Sequence, residues 1–274
     1  MHKDPARLLL VEPGKGLNLA KEDPEATPGF HKDGKEKAKD RLADDAAVID
    51  HLQPILYAEN RRSLLVVFQA MDTGGKDGTI RAVLGHLNPQ GVEVTSFKKP
   101  TPDEMEHDFL WRIHKAVPRK GTIGVFNRSQ YEDILVPTVF KLFSKAEIEA
   151  RYDLINSFER HLAENGTVIL KFFLHISKEE QRTRLQARLD DKHKNWKFSE
   201  ADVEMRAYWD AFQKVYGRML ARTSTPWAPW YLIPANKKWY RNAAVARIVR
   251  ETLEGMRLRY PPPPKGLGSI VIPE

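Results

Sequence analysis

The stretch Leu64-Leu-Val-Val-Phe-Gln-Ala-Met-Asp-Thr-Gly-Gly-Lys-Asp-Gly-Thr-Ile80 constrains this chain more than any other. An apolar, β-prone run from Leu64 to Phe68 enters a glycine-containing turn, and the turn ends in Lys76 ahead of a helical pattern. That order is strand, phosphate loop, helix. Glycines let backbone N–H groups approach an anion, the helix N-terminus adds its dipole, and the lysine adds a point charge. Gly74, Gly75, Lys76, Asp77, Gly78 and Thr79 are therefore candidate residues of a phosphate site.

Against the pattern G-x-x-x-x-G-K-[ST], Ala70 stands at the first glycine and Asp77 at the hydroxyl. The second change matters more, because that hydroxyl is the usual protein ligand of Mg²⁺. Another oxygen has to take over, and Asp72 lies inside the loop. The plain alternative is a strand-to-helix turn that binds nothing.

The chain has 274 residues, enough for a full core in one large α/β domain. No apolar run approaches the roughly 20 residues that cross a bilayer. Met1-His-Lys-Asp-Pro5 lacks the charged-then-apolar order of a signal peptide. The absence of cysteine excludes disulfides, thiolate zinc sites and a cysteine nucleophile, and makes the cytoplasm the default location. A formal net charge of +7 favours polyanionic partners: nucleotides, nucleic acid or polymers of phosphate.

Residues 1–33 read as an arm. A charged helix then starts at Gly34, with Leu42, Ala46, Ile49, Leu52 and Leu56 as its buried stripe and Pro54 expected to kink or shorten it. Further β-runs are Val92–Phe97, Gly121–Phe126, Thr167–Leu174 and Trp230–Ile233. The near-continuous apolar character of Thr167–Leu174 predicts a central parallel strand buried on both faces. With a helix over 144–164, the alternation gives a doubly wound sheet. Lys98 and Lys99 follow the second β-run, at the end where open α/β sheets place ligands. They are phosphate contacts or simple surface charge.

Thr101-Pro-Asp-Glu104 predicts a capped helix start, and one helix through His114 would present Arg112 to substrate. The third β-run ends in Asn127-Arg128-Ser-Gln-Tyr-Glu132-Asp133. Asn127 stands where a metal-binding Asp is usual, which displaces the metal ligand to Glu132 or Asp133. Arg128 would neutralise a transferring phosphoryl group, or else pair with an acid to cap the sheet edge. After Ser177, which with Glu180 forms a capping-box pattern, Arg184, Arg188 and Lys192 recur every four residues on one helical face. Lys194 and Lys197 extend that charge, as in a lid over phosphates. A last helix from Asn236 puts Lys237 or Lys238 near phosphate, and Pro261–Pro264 ends the domain.

Taken in order, these motifs resemble the family-2 polyphosphate kinases over nearly the whole chain. They are Gln69 to Thr79, Asn88-Pro-Gln-Gly91, Ser96-Phe-Lys98, His107 to Arg112, Gly124 to Asp133, His175-Ile-Ser177, Arg184-Leu-Gln-Ala-Arg-Leu189 and Trp196-Lys197. The resemblance implies a three-layer α/β P-loop kinase fold like that of thymidylate kinase, with a parallel sheet over 34–260, a helical lid at about 178–198 and a tail over 261–274. It also implies Mg²⁺-dependent (alternatively Mn²⁺-dependent), reversible phosphoryl transfer between inorganic polyphosphate and nucleotides. Carried over by position, Asp72, Lys76, Arg128 and the lid residue Arg188 are catalytic; many members have Asp where this chain has Asn127, so the metal is left to Asp72 with Asp133 or, alternatively, Glu132. The motif at 127–133 resembles the subgroup that accepts both AMP and ADP. Adenine nucleotides, with guanine nucleotides as further acceptors, are the expected partners, together with copies of the chain itself. Membrane and nucleic acid are not. Two rivals stay open: an ATP-dependent nucleotide or metabolite kinase on the same fold, and a non-catalytic polyanion-binding protein.

Overall fold

A strand of a parallel sheet that is covered on both faces needs an unbroken apolar sequence, and two runs supply it. In the computed structural model, which describes residues 5–30 and 34–273, β1 is Ser63–Gln69 and is buried throughout. β4 is Thr167–His175. With β2 (Val92–Ser96), β3 (Ile123–Asn127) and β5 (Trp230–Pro234) they form one parallel sheet in the order β2-β3-β1-β4-β5. The chain leaves β1 toward the β2 edge and later crosses β1 to reach β4. The carboxyl end of β1 is therefore where the connections part, the position at which such sheets form a ligand crevice.

The described helices are, in chain order, α1 (Pro5–Leu9), α2 (Lys35–Glu59), α3 (Lys76–Leu84), α4 (Pro102–Met105) and α5 (Trp111–Lys115). They continue with α6 (Glu132–Phe140), α7 (Lys145–Glu164), α8 (Lys178–Asp190), α9 (Glu200–Met205), α10 (Trp209–Thr223) and α11 (Lys238–Gly255). α2, α3 and α11 pack together, as do α6, α7 and α10, which makes three layers with the sheet between. Alternate residues of β1 serve different faces: Leu65 and Val67 join Phe97, Ile113, Phe126 and Leu162, whereas Leu64, Val66 and Phe68 enter the larger core. Each such buried side chain stabilises by about 1.5–3 kcal/mol relative to exposure. No helix among the described residues is long and apolar enough to cross a membrane.

Three local expectations need correction. α2 runs unbroken through Pro54. Asp50, whose carbonyl loses its partner, is exposed and can bond water, while Ile49, Ile55 and Leu56 hold the other face in the core. The single helix expected over 102–114 is split into α4 and α5. Asp108 Oδ1 accepts the Leu110 N–H at 2.9 Å, a local turn that competes with helix. At the start of α8, Ser177 caps the Glu180 N–H at 3.0 Å, but the Glu180 carboxylate turns to Arg184 Nε at 2.7 Å and the reciprocal half of the box is missing.

The N-terminal segment lies against the β5 edge: Leu10 bridges Tyr231 antiparallel and Val11 N–H donates to the Trp230 carbonyl at 2.9 Å. Further on, His175 at the end of β4 donates from Nε2 to the Glu22 carbonyl at 3.2 Å.

Candidate active site

The loop after β1 takes its shape from what surrounds its glycines. A Cβ on Gly74 would collide with Ala70 and the Met71 carbonyl, and one on Gly75 with the Arg241 guanidinium. Gly75 also has φ +100°, and Thr73 two residues before it has φ +61°, so both sit in the left-handed region that only glycine enters freely. Lys76 opens α3 and curls back to donate to the Ala70 carbonyl at 3.3 Å. Thr79 is buried, with its hydroxyl on the Gly75 carbonyl at 3.0 Å. It supports the loop from inside the helix rather than facing the crevice.

The two departures from the usual motif meet. Asn127, at the end of β3, donates from Nδ2 to Asp77 Oδ1 at 2.6 Å. Next to it, Arg128 is held at φ +65° with its N–H on the Phe68 carbonyl, and its guanidinium reaches Asp72 at 2.9 Å. Burial and the Arg128 cation push the Lys76 ammonium below the ordinary lysine range, opposed by Asp72, Glu132 and Asp77. For Arg128, burial works against the cation, but Glu132 and Asp72 outweigh it and hold its pKa up.

These groups line a crevice of about 780 Å³ over the loop. Its cations are Lys76, Lys98, Lys99, Arg128, Arg184, Arg188, Lys194, Lys238 and Arg241; its carboxylates are Asp72, Asp77 and Asp202. An excess of fixed positive charge in a concave wall of this kind draws and orients polyanions. Arg184 is engaged at its root: Nε bonds Glu180, NH1 the Thr73 carbonyl at 3.1 Å, and NH2 the carbonyls of Ala235 and Asn236 at 2.7 and 3.1 Å. Gln181 adds a bond to the Asp72 carbonyl at 3.1 Å. Arg188, one turn on, pairs with Asp202 at 3.1 Å. Burial, then repulsion from Asp72, raises the Asp202 pKa.

Several expected contacts are not brought to the crevice. Asp133 lies between Arg112 and Arg151, at 3.7 Å from each, and burial raises its pKa against their pull. Arg112 is 8 % exposed, donates to the Lys98 carbonyl at 2.9 Å and pairs with Glu104 and Asp133, so it braces the Lys98–Lys99 turn instead of facing substrate. Lys192 falls beyond the end of α8, because Asp191 is already extended, and it does not share the face of Arg184 and Arg188. Lys194 lines the crevice but also pairs with Asp191 at 2.5 Å. The Lys197 side chain lies outside the described residues. Of the two lysines at the start of the last helix, Lys238 lines the crevice, whereas Lys237 donates to the Glu25 carbonyl at 2.8 Å.

Sequence reasoning missed Arg241 and Asp202. Arg241 is 3 % exposed, its guanidinium bonds the neighbouring Asn242, and its pKa is driven down to about 10 by burial and then by the Arg184 cation. The signal was present in Lys237-Lys-Trp-Tyr-Arg241, where a four-residue helical step from Lys237 carries the charge inward. Asp202 had no such signal.

For a divalent cation, Asp72 and Asp77 supply carboxylate oxygens in the crevice, and among the described residues no group of three or more His, Cys, Asp or Glu is poised for a metal. Mg²⁺ is commonly held by one or two carboxylates and completed by phosphate oxygens and water. The donors present fit a magnesium ion that arrives with its substrate.

The family model for polyphosphate kinase 2 matches residues 32–261. The chain belongs to the polyphosphate kinase 2 family. A Meiothermus ruber protein named AMP/ADP-polyphosphate phosphotransferase is 51% identical over 96% of this chain and 98% of its own length. A Rhodopseudomonas palustris ADP-polyphosphate phosphotransferase is 43% identical over 92% of this chain and 90% of its own. The crystal structure of polyphosphate kinase 2 from Arthrobacter aurescens TC1 superposes with a TM-score of 0.93 at 47% identity, covering 98% of this chain and 95% of that one. The loop, the Arg128 turn and the α8 face thus stand in a polyphosphate kinase 2 frame.

Proposed function

We propose that the protein transfers phosphoryl groups between inorganic polyphosphate and adenine nucleotides, carrying AMP to ADP and ADP to ATP. The observation that supports this best is the crevice itself. A phosphate loop forms one wall, the α8 face another, and cations outnumber carboxylates by more than one nucleotide would need. The choice of AMP as well as ADP rests on the relative named for both acceptors.

In the forward step, an oxygen of the nucleotide's terminal phosphate bonds to the end phosphorus of the polymer. The bridging P–O bond of that phosphorus breaks, and its electron pair leaves on the shortened polyphosphate. Such a transfer asks the protein for alignment and charge neutralisation, not covalent help. The loop N–H groups and Lys76 hold phosphate oxygens, Arg128 and Arg188 neutralise the group in flight, and Arg184 and Arg241 keep the loop wall positive. Lys98, Lys99, Lys194 and Lys238 extend the track for the polymer. Asp72, with Asp77 and Glu132 close by, would hold Mg²⁺, which when bound would supply positive charge to offset that of the phosphates. Guanine nucleotides as further acceptors, and self-association, belong to the same proposal.

The test is incubation with AMP or ADP, Mg²⁺ and long-chain polyphosphate, followed for new nucleotide phosphate. Formation of ADP and ATP is expected, with chelation abolishing it and Mg²⁺ restoring it. Turnover that requires ATP and ignores polyphosphate would replace this reading with an ordinary kinase. Salt-sensitive binding without transfer would leave a polyanion-binding protein.

A further inference from the structure

Lys171 is the one charge in the middle of the central strand β4, at 0 % exposure, and the phosphoryl transfer described above does not use it. Its ammonium has a complete set of acceptors: Tyr131 Oη at 2.8 Å, Glu159 Oε2 at 2.5 Å and the Thr223 carbonyl at 2.7 Å. Glu159, 1 % exposed, accepts from Tyr131 Oη at 2.6 Å and from Gln130 Nε2 at 3.0 Å through its other oxygen. Burial pushes Glu159 up and Lys171 down, and each draws the other back toward its charged form.

A buried ion pair is a poor stabiliser, since apolar residues of similar volume commonly do as well or better. What this pair holds is more telling. Gln130 and Tyr131 follow Ser129, which is itself fastened to Gln69 at 3.1 Å, and Ser129 follows Arg128. Arg128 is the non-glycine residue at φ +65° whose guanidinium enters the crevice. A conformation of this kind is strained and persists only where its surroundings over-determine it.

We propose that the Glu159–Lys171 pair, acting through Gln130 and Tyr131, is a positioning device that fixes the strained Arg128 turn and aims its guanidinium into the crevice. Neither residue touches substrate. The idea rests on the role given to Arg128 in the proposed function, and its test separates the two.

The test is a double-mutant cycle between Arg128→Ala and the paired change Glu159→Leu with Lys171→Met, read as kcat and KM for polyphosphate and ADP alongside the melting temperature. The paired variant is expected to stay folded and lose about ten- to a hundredfold in kcat, the scale of a displaced catalytic group, with both KM values within about threefold. Adding Arg128→Ala should then cost far less than it does in the parent protein. Should the paired variant fail to fold, Gln130→Leu with Tyr131→Phe removes both links while leaving the ion pair, and the same non-additivity is expected of it. Fully additive losses, or a normal kcat in the folded variant, would overturn the positioning role alone. Normal turnover in Arg128→Ala by itself would overturn the reading of the site, and the positioning role with it.

Discussion

Asp77 and Asn127 stand where P-loop enzymes usually have a hydroxyl and a carboxylate, the two groups that share the metal. Here the carboxylate has moved to the helix and the donor to the strand, and the two still meet at 2.6 Å. Read singly, each residue looks like a defect in its motif. Their compensation was invisible in the sequence because fifty residues separate them, and only the β1–β3 pairing brings them together. Asp77→Ser and Asn127→Asp should each lower kcat/KM, and the double variant should recover beyond additivity, with a coupling above about 1 kcal/mol. Steady-state kinetics at fixed Mg²⁺ measures it; strictly additive losses would mean the two residues act independently. Arg188 is paired with Asp202 at 3.1 Å. Asp202→Asn should therefore lower KM for polyphosphate several-fold, because the polymer no longer competes with a carboxylate for that cation. A loss of kcat at unchanged KM would instead give Asp202 a part in the chemistry. Lys76→Ala and Arg188→Ala should each cost on the order of a hundredfold in kcat, and near-normal turnover in both would refute the site.

At the scale of elements, the strands were legible, as were the ends of α7 and the capped start of α4, but the end of α8 was not. The apolar runs that became β1 and β4 cannot be satisfied in any half-exposed arrangement. The end of α8, by contrast, is set from outside: Asn195 Nδ2 donates to the carbonyls of Arg188 and Leu189 at 2.8 and 2.9 Å, closing the helix before Lys192. A cap that returns from six or seven residues downstream leaves no local mark, so the regular spacing of basic residues overran the helix. The arm offers a measurable counterpart. His175 bonds the Glu22 carbonyl through Nε2, and burial lowers its pKa below 6.5 against the pull of the backbone at Glu22 and Leu19. The folded state therefore binds this proton less readily than the unfolded chain does. Stability contributed here is full above about pH 6.5 and is lost as pH falls through that value toward the lower folded pKa. Melting temperature should drop between pH 7 and 5, and His175→Gln should flatten that part of the profile. An unchanged slope in the variant would assign the pH dependence to other groups.

Across the whole molecule, the sheet order gathers the ends of β1, β2 and β3 with their basic loops at one crevice, while many of the chain's acids pair elsewhere. Buried Asp45, for instance, holds Arg247 and Arg250 at 3.0 Å each and ties α2 to α11. The formal charge of +7 was readable at once, but its concentration in one place was not, because it depends on which charges are spent on pairing. An excess gathered over a long wall makes encounter with a long anion sensitive to ionic strength. KM for polyphosphate should therefore climb with added KCl more steeply than KM for AMP, with kcat little affected. Equal salt dependence for the two substrates would place the polymer outside the crevice.

The four bonds of Arg184 give α8 the mechanics of a cantilever. Its root is pinned to the phosphate loop and to the carbonyls after β5, whereas its tip at Asp190 lies about 9 Å further along the axis at 1.5 Å per residue. Bending such a beam displaces the tip and leaves the root in register. A bend in this beam would open the slot as a wedge, narrow at Gly75 and wider near Lys194 and Trp196, and would have to part Arg188 from Asp202.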